Sequence, residues 1–323
     1  MSNSGIVSNP SRRSILAASL AAAGGVIVTS VSRAAAPTKP AGFRFAHLTD
    51  MHVKPESGAP EGYAKALQSL AKVDPPPQFI ITGGDHVMDA LEKPRDRVNL
   101  QWDVYDKVFR ENTKLKSYPV IGNHDVWGWM AKENWDAESG FGKAVYLERM
   151  QLPKSYYSFD SGAWHFIVLD NISRREKAYF GQLDDEQTEW LKGDLAAHAG
   201  KKPVCVLSHI PLVAICALFF GYGNGKTPKE FWRVGDNMMH HNVKPLLKIL
   251  AAGNVKLCIS GHVHLLDRVN YLGMSFICDG AVSGNWWGGP FQEVSEGYGI
   301  FDLFDDGTFE HQYVTYGWEA RRA

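Results

Sequence analysis

No pair of cysteines in this chain stands close enough in sequence to make a zinc–thiolate knuckle. The four present, Cys205, Cys216, Cys258 and Cys278, form no C-x-x-C pair, which argues against a structural zinc site of that type. Three of them lie inside apolar runs (PVCVLS, KLCIS, SFICD) and read as buried free thiols. An oxidising compartment would also permit a disulfide, and spacing alone does not decide between the two. An excess of one charge is missing as well: 34 Lys and Arg face 35 Asp and Glu, a formal net charge of −1. A general nucleic-acid binder needs a basic surface, so nucleic acid is not an expected partner. There is no like-charge block that would mark an interaction tail, and no internal repeat. Long hydrophobic runs are also lacking, since the apolar stretch that begins near Ile15 ends by about Val31, short of the roughly 20 residues a membrane-spanning helix requires. What the chain does have is bulk. With 323 residues, 45% of them apolar, it can bury a core as one large domain or two small ones.

The first segment is a different kind of polymer from the rest. Ser11-Arg12-Arg13-Ser14-Ile15-Leu16 opens a weakly apolar, Ala/Gly-rich run, and Ser32-Arg33-Ala34-Ala35-Ala36-Pro37 closes it. A charged start, an apolar middle and a small-residue end describe a secretory signal, and the paired arginines resemble a twin-arginine leader. This predicts a leader over 1–36, cut near Ala34–Ala36, with the twin-arginine export machinery as a partner. The protein would then be periplasmic or otherwise exported, with no stable membrane insertion after cleavage. An uncleaved anchor is the alternative.

From Phe43 onward short apolar runs alternate with amphipathic stretches. FRFAHLT, QFIIT and SYPVIG read as strands, and GYAKALQSLAK and LQWDVYDKVFR between them as helices. KSYYSFDSGAWHFIVLD reads as a hairpin turning at Asp160-Ser161-Gly162. LDDEQTEWLKGDLAAHA reads as a helix whose acidic first turn suits its dipole. PVCVLS and VKLCIS are strands on either side of a long aromatic, glycine-rich insertion at about 212–241, expected to form a cap near the site. The chain beyond Asp267 is strand-rich. The expected fold class is α/β, with two packed mixed β-sheets flanked by helices in a four-layer α/β/β/α sandwich over 43–314.

Chemistry gathers where the predicted strands stop. FRFAHLT leads to Asp50-Met51-His52, QFIIT to Gly84-Asp85, SYPVI to Gly122-Asn123-His124-Asp125, PVCVLS to His209-Ile210-Pro211 and VKLCIS to Gly261-His262-Val263-His264. Sites in α/β sheets form beyond the carboxyl ends of strands, so five strand ends would deliver carboxylate, imidazole and amide groups to one place. The i, i+2 spacing of Asp50/His52 and of His262/His264 can turn two donors toward neighbouring ions. Gly84, Gly122 and Gly261 are expected to permit sharp turns. Asp85, with two oxygens, can bridge two cations, and two cations about 3.5–4 Å apart share a water and lower its pKa toward neutrality.

This ordered series, DMH, GGD, GNHD, SHIP and GHVH, resembles the calcineurin-like metallophosphoesterase superfamily. GQLDDEQTEWLKGDL is also similar to its bacterial members. The resemblance implies a dinuclear centre of Fe, Mn, Zn or Co in which Asp50, His52 and His264 hold one ion and Asn123, His209 and His262 the other, with Asp85 bridging. His124 would stabilise the phosphoryl transition state or protonate the leaving oxygen, and Asp125 would orient His124. Many relatives carry a second acid three positions after the bridging aspartate. Here that place is Met88 and the acid comes at Asp89, which leaves Asp89 without a carried-over role. Met88 and His52 also depart from the purple acid phosphatase branch. The histidine in the first motif resembles the cyclic-nucleotide and glycerophosphodiester phosphodiesterase branch. The expectation is therefore hydrolysis of a small phosphodiester substrate, with a phosphomonoesterase or protein phosphatase as runner-up. A non-catalytic periplasmic protein that binds metal or phosphorylated ligands is the reading from another class. Outside the series, His86 is expected to stand behind the ligands, His47 and His165 to be structural, and His240-His241 to be solvated or at a helix cap. Trp286-Trp287 could stack a base, wall the cleft or simply pack.

Overall fold

Alternation along each strand decides the layering. The computed structural model describes residues 41–219 and 234–320. The expected leader at 1–36 and the middle of the expected cap therefore lie outside the described residues. Strand β1 (Gly42–Leu48) points Phe43 and Phe45 to one side and Ala46 and Leu48 to the other. The same alternation recurs in β2 (Phe79–Thr82), where Phe79 and Ile81 face one core and Ile80 the other. With period-2 side chains and both faces apolar, such strands must be covered on two sides.

Two mixed sheets satisfy that demand. The first runs β13-β12-β1-β2-β3, with β3 at Lys116–Pro119, β12 at Gly297–Phe304 and β13 at Phe309–Thr315. Here β1, β2 and β3 are parallel, and β12 pairs antiparallel to β1 with Phe45 opposite Phe301. The second runs β10-β11-β9-β8-β5-β4. Its strands are β4 (Tyr157–Ser161), β5 (Trp164–Val168), β8 (Val204–Leu207), β9 (Val255–Ser260), β10 (Asp267–Tyr271) and β11 (Met274–Cys278). The hairpin β4–β5 forms where the sequence predicts it, turning through Gly162 at φ 54°. A small ribbon joins β6 (Ile172–Arg175) to β7 (Ala178–Gly181).

Between the sheets lies a core of Phe43, Phe45, Phe79, Ile81, Trp164, Phe166, Leu207, Ile259 and Phe301. Outside the first sheet, α1 (Ala59–Leu70) and α2 (Arg95–Asn112) bury Tyr63, Leu67, Val98 and Trp102 against Ala46, Leu48 and Ile80. Outside the second, α4 (Asp185–His198) and α5 (Val243–Ala252) bury Leu191, Leu195, Leu246 and Leu250 against Ile167, Val204 and Val206. The short α3 (Ala144–Met150) closes the edge beside α2. The four layers are those expected. Helix α4 begins as its sequence predicts: the Asp184 carboxylate accepts the N–H of Gln187, and Asp185 and Glu186 occupy the first turn. All four cysteines are buried free thiols. No helix among the described residues is long and apolar enough to cross a membrane.

Strands β1, β2 and β3 of the first sheet and β8 and β9 of the second are the five that precede the polar motifs. Their carboxyl ends open on one rim of the sandwich, so the site straddles both sheets.

Candidate metal centre

The backbone at this rim is turned sharply, and the side chains of interest sit at the turns themselves. Asp50, His52, Asp85, His262 and His264 all have positive φ, at 55°, 42°, 53°, 71° and 59°. Non-glycine residues rarely occupy this region, and each costs of order 1–3 kcal/mol unless its surroundings hold it there. The glycines are used differently from expectation. Gly84 is left-handed at φ 101°, but Gly122 and Gly261 are not. They are needed for close approach: a Cβ on Gly122 would run into the backbone and carboxylate of Asp85, and one on Gly261 into Thr49 and Asp50.

Backbone hydrogen bonds lock these turns together. Asp50 N–H donates to Gly84 O at 3.0 Å and His52 N–H to Asp85 O at 2.9 Å. Val282 N–H donates to Thr49 O at 2.9 Å, and Ser283 Oγ to Asp50 O at 2.7 Å. Thr49 Oγ1 and the His262 N–H both donate to Asp50 Oδ2, at 2.6 and 2.9 Å. That leaves Asp50 Oδ1 facing inward.

Three overlapping groups of donors result: Asp50, His52 and His264; Asp85, His209 and His262; and, sharing members with both, His52, Asp85 and His124. The first holds the residues that the motifs imply for one ion, and the second holds His209 and His262 of the other set with the expected bridge Asp85 in place of Asn123. Asp85 lies between them. Its Oδ1 accepts the His124 N–H at 2.8 Å, while Oδ2 lies 3.2 Å from His209 Nε2 and 3.6 Å from His52 Nε2.

Three of the histidines are aimed by a backbone carbonyl on one ring nitrogen, while the buried Nδ1 of His52 has no hydrogen-bond partner. His209 Nδ1 is bound to Gly83 O at 2.8 Å, His264 Nδ1 to Gly284 O at 2.6 Å, and His262 Nε2 to Asn237 O at 2.8 Å. The other ring nitrogen of His209 and of His264 then faces the donor set, with Asp85 Oδ2 and Asp50 Oδ1 each at 3.2 Å, the arrangement by which proteins fix a ligand tautomer. These carbonyls were not legible in the sequence, because any residue type can supply one.

Whether the donors fit metal ions can be tested on the atoms left without partners. Asn123 Oδ1 is buried and makes no hydrogen bond, while Asp50 Oδ1 and His209 Nε2 meet only other members of the donor set, His264 Nε2 and Asp85 Oδ2, each at 3.2 Å; an unpartnered polar atom is costly in an interior. His52 Nε2 and His264 Nε2 face each other at 3.1 Å. Two ring nitrogens on one ion, with bonds of about 2.1 Å at right angles, would stand roughly 3.0 Å apart. Oxygen and imidazole donors without thiolate suit Fe, Mn, Zn or Co. The residues fit a two-metal centre.

Electrostatics agree. Burial alone would raise the Asp50 carboxyl, but His264 and His209 outweigh it and hold Asp50 well below the usual range. Asp85 is likewise held down by His209 and His124 against its own burial. Burial opposes charge on His209, yet Asp85 and Asp50 raise its pKa to about 9. Burial, with His124 next, pushes His52 well down, and burial together with His209 takes His262 to about 4.

His124 is half-exposed, at the mouth of the centre, with its ring edge-on to His52 at 4.8 Å. Its Nδ1 donates to Met88 O at 2.6 Å, which leaves Nε2 for a substrate. The expected orienting role of Asp125 is corrected here. Its carboxylate does not touch His124. It accepts the N–H groups of Asp85, His86 and Gly122 at 3.0, 2.8 and 2.9 Å, and pairs with His86 Nδ1 at 2.8 Å. Asp125 therefore holds the Asp85 turn, and the backbone of Met88 aims His124. Asp89 accepts the Glu92 N–H and anchors a turn. His240 is also corrected: it is buried, not solvated or capping, and its Nε2 accepts the Leu183 N–H at 3.3 Å. His47 pairs with Asp279, and His165 with Asp160 and Asp194; both are structural, as expected.

Residues 43–266 match the family described as calcineurin-like phosphoesterase. Among solved structures, the chain is similar to a dimetal phosphatase from Danio rerio (16% identity, 86% of this chain and 100% of that one, TM-score 0.58). It is also similar to the anchor in the inner membrane complex of Plasmodium (19% identity, 85% and 84%, TM-score 0.51). At these identities the likeness is one of fold. A stretch of 98 residues is 31% identical to purple acid phosphatase 15 of Arabidopsis thaliana; the match spans 30% of this chain and 17% of that relative. On the family match and the donor geometry together, this chain belongs to the calcineurin-like phosphoesterases, metal-dependent hydrolases of phosphoric esters.

Proposed function

We propose that this protein hydrolyses a small phosphodiester. The observation that carries the reading is the pair of donor groups facing one another across Asp85 Oδ2, with the unpartnered Nε2 of His124 at their mouth. Asp50, His52 and His264 would hold one ion, Asn123, His209 and His262 the other, and Asp85 would bridge. When bound, the ions supply charge that neutralises phosphoryl oxygens and lowers the pKa of a water. The chain's own residues do the rest. Asp125 keeps the Asp85 turn rigid. Met88 O fixes the His124 Nδ1–H, so a cationic His124 presents Nε2–H to the leaving oxygen. Once the water has given a proton to solvent, a P–O bond to its oxygen forms, the P–O bond to the leaving group breaks, and the proton from Nε2 passes to that departing oxygen. His52 in the first donor group, and Met88 in place of the tyrosine of the purple acid phosphatase branch, support a diester over a monoester.

The test is hydrolysis of bis-p-nitrophenyl phosphate beside p-nitrophenyl phosphate by metal-stripped protein and after restoring Mn, Fe, Zn or Co. Preference for the diester supports the reading; preference for the monoester replaces it with a phosphatase. Ligand binding without turnover under every metal points to a non-catalytic binding protein. We propose further that residues 1–36 direct export through the twin-arginine machinery to the periplasm. Changing Arg12-Arg13 to a lysine pair should leave an uncut precursor inside the cell; normal cutting and export of that variant would contradict it.

A further inference from the structure

Between β11 and β12 the chain runs Gly284-Asn285-Trp286-Trp287-Gly288-Gly289, and both tryptophans have positive φ, 49° and 74°. That conformation is unfavourable for a bulky side chain and persists only where something holds it. Trp287 has a packing reason. It is buried, its indole N–H donates to His52 O at 3.0 Å, and its ring fills the space over Gly62, where a Cβ would collide with it. Trp286 is less enclosed. It is half-exposed, with its ring 4.7 Å from that of His264 and 5.9 Å from that of His52. The Phe291 ring meets it edge-on, at 5.7 Å and 79°.

The loop that carries Trp286 is fixed to the metal centre itself. Ser283 binds Asp50 O through both its N–H and its hydroxyl, His264 Nδ1 donates to Gly284 O, and Trp287 N–H donates to Ser283 O at 2.7 Å. Phe291 is backed by Cys216, Ala217, Val263 and Leu265. The result is an aromatic lip, tied down through its backbone, directly beside the donors Asp50, His52 and His264.

We propose that Trp286, with Phe291 at its edge, is the specificity-determining platform of this site, stacking a planar aromatic ring carried on one ester arm of the substrate. The chain would then select phosphoesters bearing a nucleoside base or an aryl group over those bearing glycerol or simple alkyl groups. The inference rests on the phosphoesterase reading and narrows it. A ring stacked on indole favours the aromatic arm by about tenfold or more. Tryptophan offers that area with little rotamer freedom to lose on binding.

The experiment uses diesters that share one leaving group, p-nitrophenolate, and differ in the arm that stays on phosphorus: ethyl, phenyl or thymidine. Calorimetric binding of phenyl phosphate, thymidine monophosphate and glycerol phosphate to the metal-loaded protein is a second readout that needs no turnover. The expected result is a KM and a Kd about tenfold lower for both aromatic arms. In Trp286→Ala that ratio should fall to near one while two metals per chain are retained, and Trp286→Phe should restore most of it. A thymidine preference over phenyl identifies a nucleoside arm, and the reverse an aryl arm. Equal constants for ethyl and aromatic arms in the unaltered protein would overturn the platform. So would a Trp286→Ala variant that loses metal and all substrates alike, which would make Trp286 only a brace for His264. If no diester is turned over, the hydrolytic reading fails, and calorimetry judges the platform separately.

Discussion

His124 depends on a single backbone atom for its direction. With Nδ1 bound to Met88 O at 2.6 Å, its Nε2 is the nitrogen that can meet a leaving oxygen. Replacing it with alanine should lower turnover by about 10²- to 10⁴-fold while metal content stays at the unaltered level. The loss should be greater for an alkyl leaving group than for p-nitrophenolate, which needs little protonation. Equal losses on the two would make His124 a binder of phosphoryl oxygens and not an acid. Asp125 makes a contrasting case. Asp125→Ala would orphan three buried N–H groups and the His86 ring, a loss on the order of 3 kcal/mol of stability, seen as a lower urea midpoint; an unchanged midpoint would refute the clamp. The motif NHD revealed that both residues belong to the site, but not that they part company. The partners of Asp125 include backbone amides about forty positions earlier, and amides carry no sequence signature.

At the scale of elements, the chain tells strand from helix well because two-sided burial and helical spacing leave strong patterns. Phe43 and Phe45 against Ala46 and Leu48 make one example, and Leu191 and Leu195 in α4 another. What it hides is long-range pairing, as with His240, whose burial comes from the β6–β7 ribbon and Leu183. A second hidden device clasps α4 to the β4–β5 hairpin. His165 on β5 pairs with Asp160 on β4 and Asp194 on α4, both at 2.7 Å, with Lys202 on Asp160 at 2.8 Å and the His198 ring stacked at 3.7 Å. Burial opposes a charge on His165, but Asp194 and then Asp160 raise its pKa above the ordinary value. Both carboxyls are lowered, against their burial, by Lys202 and His165 at Asp160 and by His165 and Ser158 at Asp194. A raised histidine stabilises the fold below its unfolded pKa of about 6.5 and loses that contribution as pH climbs through the folded value. The lowered carboxylates contribute above about pH 4 and lose it as pH falls through their folded values. The stability gap between the unaltered protein and His165→Asn should therefore be widest between about pH 4 and 6.5 and narrow toward pH 9, read from urea midpoints. A gap that widens with rising pH would contradict the clasp.

Across the whole molecule, the centre joins the two sheets: the carboxyl ends of β1, β2 and β3 on one side and of β8 and β9 on the other converge around it, beyond the core that the sheets share. The ordered motifs made this legible, since five polar strand ends in one chain have one place to converge. The aromatic lip was half legible: GNWWGGP was visible, but which tryptophan packs and which faces the cleft depends on Gly62 and His52, some 220 to 240 positions away. Because the donor atoms of Asp50, Asn123 and His209 are buried, chelation should lower the thermal midpoint, and restoring metal should recover it in proportion to ligand saturation.

The most direct measurement is a metal titration of stripped protein, following bound ions per chain and bis-p-nitrophenyl phosphate hydrolysis together, beside Asp85→Ala. The two donor groups predict that activity rises with the second ion bound, saturates at two per chain, and is lost in Asp85→Ala along with at least one ion. Full activity at one ion or none, or an Asp85→Ala variant that keeps two ions and full turnover, would contradict a dinuclear centre bridged by Asp85.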